Sequence, residues 1–529
     1  MWRRHSCVPR PHSWGRFLAG TNPQPLAFEA AASRLFGTLF LPMRRRLERV
    51  HWSRGAPDTS VRATPPGAGL PKVVIIGGGI SGLSAAYYLA KGGSTCTIVE
   101  SRPRLGGVIQ TEHVEGCTIE AGPDSFLSAK PAALELIRDL GLAGDVIGSN
   151  DQLRKTFVRR GGRLIPLPDG MMMMVPTRIM PLVTTGLLSW STKIRMGLEL
   201  LRSPKTTPGD ESVADFIEEH YGAEAVDYLA EPLLSGIYGG NPGDLSVTSV
   251  LPRFVDLAKQ YGSLTRGVLA QRAKAKSRNS AGTQPEPLFR TLKGGLGQMI
   301  DAICSAIRGK AEVRQGRAQA VERSGEGFRI RMEDGWIEAD RLVVACEAHS
   351  GARLLPAVDG RLAELLGSVP YSSSMTVAHG FHSSDFATPP DGFGFLVPKK
   401  ERRRLVACTW VGTKFSYRVP DGTVLARCFL GGMDDAGILQ EPDDRVLGAV
   451  TGELQEIAGF RAQPRFSRIF RWPSSMAQYT VGHPERVTEI EARVAAIPGL
   501  HLAGNAYRGI GIPDCIRMGK QAAERILAG

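Results

Sequence analysis

The chain has 529 residues, 42% of them hydrophobic and 22% charged, which is enough for two or three domains that each bury a core. Residues 1–70 hold eleven Arg, no Lys and three acids (Glu29, Glu48, Asp58), so eight of the thirteen net positive charges sit there, and nucleic-acid binding by the folded body has little support. Eight scattered cysteines without a C-x-x-C pair argue against a disulfide framework and for a reduced, cytoplasmic chain, and no His/Cys cluster has metal-ligand spacing, so no metal site is expected.

In chain order, residues 1–70 read as a disordered basic leader. Three origins stay open: an Arg-rich transit peptide, a basic membrane-surface or regulatory arm, or translated sequence upstream of the true start. Its one apolar run, "LFGTLFLPM" (35–43), is far short of the roughly 20 residues of a membrane helix. "PPGAGLP" (65–71) is a linker, and order is expected from Lys72. "KVVIIG" reads as a buried strand, "ISGLSAAYYLAKGG" as a helix closed by a Gly pair, and "STCTIVE" as the next strand. That βαβ unit opens a doubly wound sheet.

Between 165 and 260 the apolar content rises and Pro interrupts it, as in "IPLPDGMMMMVPTRIMPLVTTGLLSW". Two readings stand: a buried helical subdomain, or a surface that dips into a membrane interface. "QRAKAKSRNSAGTQPEP" (271–287) is polar without a period and reads as a mobile loop. Alternating strands are expected near 373–382, 393–398, 404–411 and 423–430. The finish, "GLHLAGNAYRGIGIPDCIRMGKQAAERILAG", is strand, Gly-rich turn and helix. A strand–glycine–helix unit at each end predicts a discontinuous nucleotide domain.

The chemistry-bearing residues begin with Gly77-Gly78-Gly79-Ile80-Ser81-Gly82, a G-x-G-x-x-G turn between strand and helix. Gly77 makes the tight turn, Gly79 admits the pyrophosphate to backbone N–H groups, and Gly82 lets helix and strand pack closely. Glu100 closes the second strand, 18 residues after Gly82, where a carboxylate accepts from ribose hydroxyls. This stretch asks for a dinucleotide without saying which. "ESRPRLGG" then supplies Arg104, a candidate to neutralise the pyrophosphate, and the Gly106–Gly107 pair, which lets backbone pass a bulky ligand. "IEAGPDSF" brings Gly122 and Pro123.

This combination resembles the FAD-dependent oxidases and desaturases, a superfamily that includes amine oxidases, phytoene desaturases and porphyrinogen oxidases. In that superfamily a late Gly-rich segment lies by the flavin, and Gly504, Asn505, Gly511, Ile512 and Pro513 match it. "EPLLSGIYGGNPGDLSV" (231–247), "GFGFLVPKKE" (392–401) and "WPSSMAQYTVGH" (472–483) are similar to the oxygen-dependent protoporphyrinogen and coproporphyrinogen oxidases. The likeness spans 72–528. It implies FAD as cofactor, a porphyrinogen as substrate, molecular oxygen as acceptor and hydrogen peroxide as by-product. Trp472 joins the cofactor set, and Phe393, Gly394, Leu396, Cys408, Phe429 and Gly239 the substrate set, with no catalytic residue assigned.

The fold class the resemblance implies is α/β: a discontinuous Rossmann-like FAD-binding domain (71–125, 286–350, 491–529), a helical region with possible membrane contact (126–285) and an α+β substrate domain (351–490). It leaves open a homodimer, peripheral membrane attachment and hand-off of product to the next haem-pathway enzyme. Many protoporphyrinogen oxidases carry a propionate-pairing Arg before the strand that here reads "FVRRGGRLIPLP"; this chain has Thr156, with Arg154 and Lys155 beside it. That departure tilts the expectation towards coproporphyrinogen III. Lys130, Arg154 and Lys155 are the remaining candidate propionate anchors. The competing readings are another flavoenzyme of the superfamily and a non-catalytic tetrapyrrole carrier.

Overall fold

The structure is a computed structural model that describes residues 71–204, 209–278 and 286–529. The expected leader 1–70 lies outside these residues.

A five-stranded parallel sheet runs in the order Ala311–Gln315, Cys96–Glu100, Val73–Ile76, Arg341–Val344, Leu500–Leu502. Its strands come from three widely separated stretches of chain, with the last returning from the C-terminus. All four residues of Val73–Ile76 are buried, which is why that strand is apolar throughout instead of alternating. Helix Ile80–Lys91 buries ten of its twelve residues. It packs on the C-terminal helix Ile512–Leu527. Gly519 permits that crossing: a Cβ there would lie 2.2 Å from the Ser81 carbonyl oxygen.

A seven-stranded sheet runs Phe466–Ala477, Tyr371–His382, Thr423–Gly432, Ala407–Trp410, Gly394–Leu396, Thr156–Arg160, Arg163–Pro166. It is antiparallel except where Gly394–Leu396 meets Thr156–Arg160. All four strands expected between 373 and 430 are present. One face is covered by helix Asp443–Ala458, whose Val446, Val450 and Leu454 pack on Phe395, Cys408, Cys428 and Leu430. The other face packs Leu425, Phe470 and Trp472 on the Cys117–Ala121 stretch.

The described residues between 165 and 268 form a largely helical region around Phe216, Ile217, Tyr221, Leu229, Leu234 and Leu264. One side of it is bare. Trp190, Ile194, Leu198 and Leu201, spaced by about one helical turn, are 60–78% exposed. Among the described residues no helix is long and apolar enough to cross a membrane. The polar stretch from 271, expected as loop, is helical as far as Arg278, because Leu264–Arg278 continues through good helix formers from a buried first turn.

Candidate active site

The glycine turn sits at the carboxyl ends of the parallel strands, where such sheets bind ligands. Gly77 has φ +107°, and a Cβ there would lie 2.8 Å from the Ala345 carbonyl. At Gly82 a Cβ would lie 1.9 Å from the Gly77 carbonyl oxygen, so helix and strand meet only through glycine. Gly79 is different. A Cβ there would meet only Gly107 Cα, at 3.9 Å, which leaves open space beside the turn. The helix begins without a side-chain cap, so the first-turn amides of Ile80, Ser81 and Gly82 lack intrahelical acceptors and offer themselves to an anion.

Glu100 is 8% exposed. One carboxylate oxygen accepts from the Gly78 amide at 2.7 Å and the other from the Arg102 amide at 2.7 Å. It therefore closes the turn, and its remaining lone pairs suit ribose hydroxyls.

The "RLGG" loop lies directly on this turn. Gly106 donates to the Gly78 carbonyl at 2.8 Å, and Gly106 and Gly107 have φ of +103° and +59°. Arg104 donates to the carbonyls of Leu105 and Ile109, each at 3.0 Å, and to that of Gly107. Its guanidinium thus clamps the loop, where charge arithmetic alone had aimed it at the pyrophosphate. Gly122 runs against the same loop, since a Cβ there would lie 2.0 Å from the Val108 carbonyl oxygen. Pro123 follows it. Trp472 donates from Nε1 to the Ala121 carbonyl at 2.9 Å, which ties the large sheet to the crevice.

The second glycine segment reaches the same place. Gly511 starts helix Ile512–Leu527, with Ile512 and Pro513 in its first turn and no side-chain cap. Asn505 is fixed by its amide, which donates to the Ser475 carbonyl at 2.9 Å. Gly504 lies near the Cys346 carbonyl, beside the Gly77 turn. Two uncapped helix starts, glycines where a Cβ would collide and a carboxylate closing the second strand together fit an extended dinucleotide such as FAD.

Beside this crevice the seven-stranded sheet offers one face. Leu396, Ala407 and Phe429 are in register across three strands and share it. Gly394 lies on it too; its φ is +138°, and a Cβ would lie 1.9 Å from the Cys408 carbonyl oxygen. Leu396 comes 3.7 Å from the Cβ position of Gly236, in helix Glu231–Tyr238. Gly239 ends that helix in the left-handed conformation, where a Cβ would lie 3.5 Å from Gly432 Cα. Phe393 is buried where the strand begins.

Cys408 is the exception. It pairs with Phe395 on one side and Cys428 on the other, and all three point into the core under helix Asp443–Ala458. Strand alternation places it on the opposite face from Phe429, so it is a core residue and not a wall of the cleft.

A buried set of charges, missed in the sequence, joins the two regions. The Arg427 guanidinium stacks 4.7 Å from the Phe429 ring, donates to the Gly122 carbonyl and lies 3.5 Å from Asp124. Lys414 pairs with Asp124 at 2.9 Å. Burial alone would raise the Asp124 carboxyl, but Lys414 and Arg427 hold it well below the usual carboxylate range. Arg418 pairs with Glu120 at 2.8 Å, each side chain 1% exposed. For the two arginines the only sequence signal was an isolated charge within "YRVP" and "LARCFL".

Of the candidate propionate anchors, Lys130 pairs with Asp514 and Lys155 with Asp391. Tyr238 is pushed up to about 12 by burial and Asp514, so its phenol stays neutral. The described residues include no group of His, Cys, Asp and Glu able to hold a metal ion. What the arrangement offers is a dinucleotide crevice, an apolar face beside it and fixed buried charge.

The family model of flavin containing amine oxidoreductases matches residues 80–527. Coproporphyrinogen III oxidase of Bacillus subtilis (strain 168) is 33% identical over 470 residues, 87% of this chain and 98% of that protein. Coproporphyrinogen III oxidase of Propionibacterium freudenreichii subsp. freudenreichii is 35% identical over 495 residues, 88% and 92% of the two chains. A crystal structure from Exiguobacterium sp. 255-15, provisionally assigned as a protoporphyrinogen oxidase, superposes with a TM-score of 0.77 at 30% identity, covering 87% of this chain and 99% of that one. The chain belongs to the flavin containing amine oxidoreductases and, within them, to the porphyrinogen oxidase family.

Proposed function

We propose that this chain oxidises coproporphyrinogen III to coproporphyrin III in haem biosynthesis, with FAD as cofactor and molecular oxygen as acceptor. The observation that carries the reading is the apolar sheet face of Leu396 and Phe429, set beside a crevice built for a dinucleotide. Full-length similarity to two coproporphyrinogen III oxidases supports it.

In this reading segments 71–125, 286–350 and 491–529 hold FAD, while 126–285 and 351–490 hold the macrocycle. Gly77, Gly79, Ile80, Ser81 and Gly82 take the pyrophosphate, and Glu100 takes the ribose. Arg104, Gly106 and Gly107 shape the adjoining loop. Gly122, Pro123, Trp472, Gly504, Asn505, Gly511, Ile512 and Pro513 surround the ring. The chemistry FAD supplies when bound is acceptance of hydride equivalents, about two electrons in each of three rounds, passed on to oxygen with hydrogen peroxide as by-product.

The protein's part is to position and desolvate a broad, flat, mostly apolar ring. Phe429 offers it an aromatic face, held flat by the Arg427 guanidinium behind it. Leu396, Gly394 and Phe393 line one wall, and Gly239 bounds the other. Helix Glu231–Tyr238 excludes water from that side.

Protoporphyrinogen IX is the second reading, and Thr156 bears on it. Thr156 is in register with Gly394, at the rim of the same face. The bidentate anchor that many protoporphyrinogen oxidases carry is missing there, and this departure tilts the reading towards coproporphyrinogen III. The exposed Trp190–Leu201 stripe supports an enzyme that rests on a membrane surface; co-sedimentation with anionic vesicles, lost in Trp190→Ser/Leu198→Ser, tests that. Purified protein should be yellow and should turn colourless coproporphyrinogen III fluorescent while consuming oxygen. A flavin-free protein that cannot be reconstituted with FAD overturns the proposal.

A further inference from the structure

The stretch "WPSSMAQYTVGH" has so far supplied Trp472 and the Ser475 carbonyl, and its far end is also held by specific contacts. Tyr479 is 2% exposed. Its hydroxyl donates to the Asn505 carbonyl at 2.8 Å and accepts from the Gly509 amide at 2.9 Å. Its ring stacks on His483, with centroids 4.0 Å apart and planes 13° apart. His483 Nε2 lies 3.2 Å from the Tyr507 carbonyl, to which it donates. Burial lowers His483 to about 4, so the ring is neutral at working pH, and the tautomer with its proton on Nε2 suits a carbonyl acceptor. Three alternate residues of the Gly-rich return segment, Asn505, Tyr507 and Gly509, are therefore held by one stacked pair.

The pair is itself fixed from the cleft side. The Tyr479 carbonyl accepts from the Ser246 amide at 2.7 Å. The Gly482 amide donates to Asp210 at 3.0 Å. Next in sequence, Gln478 donates to the Tyr238 carbonyl at 2.7 Å and to the Ser372 hydroxyl at 3.0 Å, beside the Gly239–Gly240 turn. Neighbouring side chains thus reach in two directions, one to the end of the cleft helix and one to the return segment. A segment with glycines at 504, 509 and 511 has more backbone freedom than most, so an external brace must supply its order.

We propose that Tyr479 and His483 are positioning residues that set the backbone of Asn505–Gly509, and with it the adjoining start of helix Ile512–Leu527, in register with the cleft edge at Tyr238–Gly240. The inference rests on the reading of that segment as part of the FAD site. Neither residue touches substrate in this account; they act through the loop.

Tyr479→Phe tests it, because the ring and its stack remain and only the hydroxyl goes. In flavin-free protein, amide hydrogen exchange at Gly509 should quicken about tenfold or more, since its buried acceptor is lost. The dissociation constant for FAD should rise about tenfold, and the visible absorption of the bound flavin should shift. His483→Phe, which keeps an aromatic partner but removes the donor to Tyr507, should move the same readouts by a few-fold, and it decides the matter if Tyr479→Phe does not fold. Gly509 exchange and FAD affinity both at wild-type values in a folded variant overturn the inference. Wild-type protein that takes up no FAD overturns the underlying flavin reading instead, while the exchange result still decides whether the pair orders the loop.

Discussion

The crevice and the cleft are built in opposite ways. In the crevice proposed for FAD, backbone is what the site offers: glycines at 77, 82 and 122 stand where a Cβ would lie 2.8 Å or less from another carbonyl, and the first-turn amides of helix Ile80–Lys91 have no side-chain cap. In the cleft proposed for the substrate, side chains on one face of the seven-stranded sheet are what the site offers, and a register slip of one residue would exchange Phe429 for Cys428. A backbone site tolerates almost no substitution at its glycines. A side-chain site grades smoothly with the group presented.

The largest effect should come from breaking the backbone site. Gly82→Val should abolish FAD retention and stable folding, read as loss of visible absorbance and of a cooperative melt; a yellow, folded variant would mean that the close approach is dispensable. Next is the charge that joins the two regions. Arg418→Met strands Glu120 without its partner, and urea denaturation should show a loss of about 3–5 kcal/mol. A loss well below that would show that the Thr111 hydroxyl and the Leu296 amide suffice to hold Glu120.

Acid should then weaken the whole assembly. His379, His483 and His501 are each lowered to about 4 by burial, against roughly 6.5 in the unfolded chain. Between those values the unfolded state binds more protons, so stability is full above about pH 6.5 and falls as pH drops towards 4. Melting temperature should decline by several degrees over that window. His379 lies in the large sheet, bonded to Ser467 at 2.8 Å, so His379→Asn should remove its share and leave that of His483 and His501. An acid profile unchanged in the variant would contradict this.

Smaller effects separate the two faces of the cleft sheet. Phe429→Ala should raise KM for the porphyrinogen about tenfold with the fold intact. Cys408→Ala should leave KM alone and cost roughly 1 kcal/mol of stability. The reverse pattern would invert the face assignment. Thr156→Arg should shift preference towards protoporphyrinogen IX by a few-fold, and no shift would remove the propionate argument.

The same contrast explains what was legible in the sequence. Gly77 and Gly82 could be read because close backbone approach demands glycine whatever surrounds it, and Gly79 by its spacing between them, since the strand–turn–helix context is local. Cys408 was assigned to the substrate wall and lies in the core instead, because Ala407–Trp410 is almost wholly buried and shows no alternation to reveal a face. Arg104 was found, but its bonds to the loop carbonyls were not, since a donor count does not show which acceptors it meets. Arg427 and Arg418 were missed because their partners lie hundreds of residues away. Leu264–Arg278 ran further than its polarity implied, because helix propensity carries a segment without an apolar stripe.

The central claim is that crevice and cleft together move electrons from a porphyrinogen to FAD. The direct measurement is flavin bleaching in the absence of oxygen, with coproporphyrinogen III and protoporphyrinogen IX offered side by side. Rapid loss of visible flavin absorbance with coproporphyrinogen III, faster than with protoporphyrinogen IX, is the result expected. A fully loaded flavoprotein that neither porphyrinogen bleaches would contradict the account.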